Sequence, residues 1–129
     1  MKIFLDTANI ESIERYLELG IVDGITTNPS LLLKENVDPI EAMKKIVKLV
    51  DGPVSLEIVA TEFDEIMEES LKLANYGDNV IVKIPMSSGG LKAIHALTKK
   101  NIKTNVTLIF SANQALLAAK AGATYVSPF

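Results

Sequence analysis

The sequence predicts an α/β protein of the (β/α)8-barrel type. Three observations carry that expectation. Short aliphatic runs alternate with amphipathic stretches, at roughly 20 to 30 residues per repeat, which calls for parallel strands joined by helical crossovers. No G-x-G-x-x-G follows any run and no G-x-x-x-x-G-K-S/T occurs, so the dinucleotide version of an open doubly wound sheet has no support. Each of the first five runs also keeps one aliphatic parity and carries a polar residue near its C-terminal end, where barrel enzymes place their chemistry.

In chain order, residues 2–6 read as the first strand. Asn9 caps a helix over 10–19 that Gly20 ends, with Glu11 and Glu14 in its early turns. Residues 21–26 form the second strand, and Thr27-Asn28-Pro29-Ser30 a turn with a short helix behind it. Pro39 opens a helix to about residue 50 with Ile40, Met43, Ile46, Val47 and Val50 on one face, and Asp51-Gly52-Pro53 breaks it. Residues 54–59 form the third strand, 62–76 an acidic helix closed by Gly77, and 80–85 the fourth strand, stopped by Pro85. Ser87-Ser88-Gly89-Gly90 leads into a helix over 91–100. Residues 102–109 form the fifth strand, Ser111 caps an alanine-rich helix ending at Gly122, and 123–127 form the sixth strand.

Composition narrows the function. A 129-residue chain that is 48% hydrophobic supports one domain with a real core, and a mean hydropathy of +0.26 argues against disorder. A formal net charge of −3 and the lack of any Lys/Arg run argue against a nucleic-acid surface. With no cysteine, disulfides, thiolate chemistry and thiolate zinc sites are excluded. Residues 1–6 lack a signal-peptide core and no apolar stretch reaches the roughly 18 residues of a membrane span. The expectation is a cytoplasmic protein of one domain over residues 1–129.

The run Val80-Ile81-Val82-Lys83-Ile84-Pro85 organises the rest. A strand of this kind is covered on both faces, and burying an ammonium ion is costly. A neutral amine held there is a nucleophile for a carbonyl. Taken alone, the run also fits a strand-end lysine that snorkels to water or pairs with an acid. The other strands shift the balance. Asp6 shares a strand face with Phe4, Glu57 with Ser55, Lys83 with Ile81, and Asn105 with Thr107, while Val106 and Leu108 face the other way; Gly24, Thr26 and Asn28 share one parity. Polar groups repeated at one level of five strands are costly unless they serve chemistry. Lys83 is then the residue that forms an imine with a ketose. Asp6 is the base for the hydroxyl proton in a retro-aldol cleavage, and Glu57 the acid/base for imine formation and hydrolysis, through a water. Asn105 and Thr107 hold substrate hydroxyls or that water.

The segments Leu5-Asp6-Thr7-Ala8-Asn9, Thr26-Thr27-Asn28-Pro29-Ser30, Val82-Lys83-Ile84-Pro85, Asn105-Val106-Thr107-Leu108 and Ser127-Pro128-Phe129 resemble the transaldolase family in its short-subunit branch, which includes the fructose-6-phosphate aldolases. The resemblance covers the whole chain, in order and with matching spacing. It implies a class I aldolase chemistry on a (β/α)8 barrel that needs no metal or organic cofactor. Lys83 matches the family's Schiff-base lysine, Asp6 its strand-one aspartate and Glu57 its strand-three acid/base. Thr26, Asn28, Asn105, Thr107, Ser127 and Phe129 match its substrate-binding positions. The aldolases resemble Gln at position 57 and Tyr at 129; Glu57 and Phe129 are the transaldolase pair. The implied reaction moves a dihydroxyacetone unit from sedoheptulose 7-phosphate to glyceraldehyde 3-phosphate, in the pentose phosphate pathway. The alternatives are a fructose-6-phosphate aldolase and a catalytically silent barrel piece. Sugar phosphates are the implied small-molecule partners, and full-length members of the branch are homo-oligomers, pentamers or decamers.

The sequence departs from that family in length. It reaches about six of the eight β-α units, and a barrel needs about 200 residues at least. The family's phosphate-binding arginine and its C-terminal assembly helix have no counterpart here. The expectation is a chain that is weakly active or inactive alone, and that associates through open strand edges. The remaining polar residues have plain readings. The single histidine, His95, lies mid-helix and reads as a surface residue. The run Glu62, Asp64, Glu65, Glu68, Glu69 reads as a solvated helix face, and Met43, Met67 and Met86 as packing residues.

Overall fold

The computed structural model describes residues 1–129. Six strands are joined by helical crossovers, with two helices between the second and third strands and one in each other crossover: β1 (Phe4–Asp6), α1 (Ile10–Leu17), β2 (Gly24–Thr26), α2 (Pro29–Leu33), α3 (Pro39–Leu49), β3 (Val54–Glu57), α4 (Phe63–Ala74), β4 (Val80–Pro85), α5 (Ser88–Lys99), β5 (Thr104–Ile109), α6 (Ala112–Ala121) and β6 (Tyr125–Pro128). The chain forms two compact units, one of Met1–Glu57 with Tyr76–Val80, the other of Ile58–Asn75 with Ile81–Phe129.

In the first unit β1 pairs in parallel with β2 (Leu5 opposite Ile25, Asp6 opposite Thr26), and β2 with β3 (Thr26 opposite Ser55). Val54 N then donates to Asn79 O at 2.9 Å, at the entrance to β4. Ile13, Ile25, Ile46 and Val54 are fully buried. The helices start where the sequence asks them to. Asn9 accepts from Ser12 N and Asn28 from Leu31 N, while Asp38 accepts from Glu41 N just ahead of Pro39. The turn after α3 is tied by Asn79, whose Nδ2 donates to Val47 O, Val50 O and Gly52 O at 3.1, 2.6 and 3.1 Å. Gly52 answers a close approach, since a Cβ there would lie 1.8 Å from Asp23 O.

In the second unit Ile58 N donates to Lys83 O at 3.1 Å. β4 pairs in parallel with β5 (Lys83 opposite Asn105, Pro85 opposite Thr107), and β5 with β6 (Asn105 opposite Tyr125). Ser87 caps α5 and Ser111 caps α6, which ends at Gly122 in the left-handed region, φ 110°. Ile66, Ile84, Ile94, Leu97 and Ile109 are buried.

Strand order therefore follows chain order, β1-β2-β3-β4-β5-β6, with every crossover helical. A doubly wound sheet reverses its order at a switch point; this one does not. The protein is an α/β chain of the (β/α)8-barrel type, with five β-α units and a sixth strand.

The structure corrects several details. β2 starts at Gly24 rather than at residue 21, and Ile21 is exposed; Asp23 instead holds Ile3 N at 2.6 Å through its carboxylate. β3 ends at Glu57, with Val59 exposed in the following loop. α5 begins at Ser88, taking Gly89 and Gly90 into its first turn. Leu108 does not share the buried face of Val106. It adopts φ 58° at a register shift between Val106 and Ile109, so it is exposed and Ile109 takes the buried position. Nor is Glu69 part of a solvated face; its carboxylate binds backbone, as described below. His95 is a surface residue, as expected.

Candidate active site

Lys83 lies in the most buried strand of the chain. It is 8% exposed, and its chain neighbours Val82 and Ile84 are both at 0%. Branched and aliphatic residues on either side drive that burial, and the β4 ladder fixes where the lysine's Cα sits. Across the ladder stands Asn105, 3% exposed. Ser127 Oγ donates to Asn105 Oδ1 at 2.8 Å, which orients the amide. Thr107 is also buried, one inward-facing step further along β5 and opposite Pro85. The second unit thus brings Lys83, Asn105 and Ser127 into a row across three strands, with Thr107 beyond them. A lysine with polar groups at this level is equipped to take a carbonyl and hold its hydroxyls.

Phe129 takes a different setting from these strand residues. It is exposed, its N–H donates to Ile109 O at 3.0 Å, and its ring stacks on Phe110 with centroids 4.8 Å apart and planes 4° from parallel. Phe110 is itself held by its amide, which donates to Gln114 Oε1 at 2.7 Å.

In the first unit the β1–β2 register sets Asp6 opposite Thr26, and Thr26 Oγ1 donates to Asp6 Oδ1 at 2.9 Å. A carboxylate accepting one such bond keeps a second oxygen for a substrate proton. Glu57 closes β3 and is half-buried. Asn28 stands just beyond β2 with its Oδ1 engaged as the α2 cap, which fixes the direction of its amide.

Three residues outside the sequence-derived set matter to these strand ends. Leu108 makes the β5 irregularity and Phe110 carries the stack on Phe129; neither has a sequence signal. Glu69 accepts from Val59 N at 3.2 and 3.1 Å and from Ala60 N at 3.0 Å. It did have one: Glu69 follows Ile66 by three positions and precedes Leu73 by four, both buried, so it lies on the inward stripe of α4. No three His, Cys, Asp or Glu side chains gather as a metal-binding group, and no helix is long and apolar enough to cross a membrane.

A family model described as Transaldolase/Fructose-6-phosphate aldolase matches residues 3–129. The chain belongs to this family. It is 58% identical over all 129 residues to a probable transaldolase of Nitrosopumilus maritimus, of which it covers 58%. It is 59% identical over the same span to a probable transaldolase of Methanococcus maripaludis and 54% identical to one of Thermodesulfovibrio yellowstonii, covering 60% of each. The chain therefore spans 58 to 60% of the length of these transaldolase-family relatives.

Proposed function

We propose that the chain carries the imine-forming part of a class I transaldolase, in one incomplete barrel domain. The observation that supports this most is Lys83, a lysine 8% exposed in an otherwise aliphatic strand and facing Asn105 in register. In this reading Lys83 Nζ adds to the C2 carbonyl of a ketose phosphate and water leaves, giving an iminium ion. Asp6 takes the C4 hydroxyl proton as the C3–C4 bond breaks, and the electron pair of that bond flows into the iminium. An aldose phosphate departs. The remaining dihydroxyacetone enamine attacks an acceptor aldehyde, and Asp6 returns the proton to the new hydroxyl. Glu57, through a water, moves the protons of imine formation and hydrolysis.

Asn105, Thr107 and Ser127 hold substrate hydroxyls or the catalytic water, with Thr26 and Asn28 doing the same from the β2 end. The bond from Thr26 Oγ1 orients the Asp6 carboxylate, and the cap bond of Asn28 directs its amide. The donor is sedoheptulose 7-phosphate and the acceptor glyceraldehyde 3-phosphate, a cytoplasmic step of the pentose phosphate pathway carried out by a homo-oligomer.

The family description names fructose-6-phosphate aldolase beside transaldolase, so cleavage to free dihydroxyacetone is the second reading. Glu57 and Phe129, together with relatives described as probable transaldolases, favour transfer. The test is product analysis with fructose 6-phosphate. Transfer predicts turnover that requires an acceptor aldehyde; steady release of dihydroxyacetone without acceptor would establish the aldolase instead. Lys83→Met, which keeps length but loses the amine, should abolish either activity.

A further inference from the structure

We propose that Glu69 is a positioning residue that fixes the strand end presenting Glu57, a role that rests on the proposed acid/base function of Glu57. β3 leaves its ladder immediately after Glu57, and the chain enters a loop with an exposed valine, Val59. Side-chain burial does not hold that loop at Val59. Its backbone does: Val59 N and Ala60 N both donate to the Glu69 carboxylate, at 3.0 to 3.2 Å. The preceding amide, Ile58 N, donates to Lys83 O at 3.1 Å. Three successive amides after Glu57 are thus anchored, one to the backbone of the imine lysine and two to a single side chain on α4.

The choice of a carboxylate matters. Hydrogen bonds to an ionised acceptor are about twice as strong as neutral ones, and two oxygens can serve two amides from one rigid helix. A glutamine in the same place offers one oxygen and turns an NH2 toward a donor. A general acid/base must be held within a fraction of an ångström of its working position. The amides that clamp this loop are therefore poised to set the reach of Glu57 toward its water.

The experiment is a double-mutant cycle of Glu57→Gln and Glu69→Gln, read as the single-turnover rate of imine formation by borohydride trapping with fructose 6-phosphate. Glu69→Gln should slow imine formation about ten-fold with KM nearly unchanged. In the Glu57→Gln background the same change should add less than about two-fold, because Glu69 acts through Glu57. Glu69→Asp, which keeps the charge, should recover part of the rate, and amide exchange at Val59 and Ala60 should rise in Glu69→Gln. A Glu69→Gln effect of equal size in both backgrounds marks a merely structural role and overturns the proposal, as does an unchanged rate. If Glu57→Gln leaves imine formation on Lys83 untouched, the acid/base reading of Glu57 fails, and this proposal fails with it.

Discussion

Asn79 has no place in the chemistry, yet one amide nitrogen serves three carbonyls, Val47 O, Val50 O and Gly52 O. Removing it strands acceptors in a turn where Gly52 already runs against Asp23. Asn79→Ala is expected to cost about 1–3 kcal/mol, measured as a shift in the urea midpoint at constant slope. Lys83 was legible for the opposite reason. A charged residue inside an aliphatic strand breaks the pattern that surrounds it, and such breaks are where function concentrates. Asn105 and Thr107 were legible by parity alone, since β5 keeps strict alternation up to Thr107. Leu108 was not. Nothing in a run of β-branched and aliphatic residues announces a leucine at φ 58°, a conformation that bulky side chains rarely adopt. Glu69 hid among four other acidic residues, and composition masked its inward position on α4.

At the level of elements, helix starts were the clearest part of the sequence. Asn9 and Ser111 each place a side-chain oxygen over an N-terminal amide, because short polar side chains compete for the backbone there. Strand ends were less legible. Ile21 and Val59 fit a strand by type, but the ladder stops short of them: Ile3 N goes to the Asp23 carboxylate and Val59 N to that of Glu69. Pairing between strands decides that, and a single strand's sequence does not contain it. The end of α6 is a sharper case. Gly122 sits at φ 110°, and a Cβ there would lie 2.5 Å from Thr98 Oγ1, whose own hydroxyl reaches Gly122 O and Ile94 O. Gly122→Ala is expected to destabilise the protein by about 1–3 kcal/mol through backbone strain and this contact. Thermal unfolding compared with Ala121→Gly, which leaves that turn its glycine, measures it.

On the scale of the whole molecule, the β-α repeat was readable from periodicity, but the chain order of the strands was not, because an open doubly wound sheet has the same repeat. Membership of the transaldolase/fructose-6-phosphate aldolase family follows from a match over residues 3–129. The distinction between transfer and simple cleavage is finer than fold or family, because one scaffold hosts both reactions and the choice lies in a few side chains. The proposed reaction turns on the imine at Lys83. Its most direct measurement is intact-mass and peptide-mapping spectrometry after incubation with fructose 6-phosphate and borohydride, on the protein and on Lys83→Met. A reduced three- or six-carbon adduct on Lys83, absent from Lys83→Met, is the predicted result. No adduct, or one carried by another lysine and retained in Lys83→Met, would contradict it.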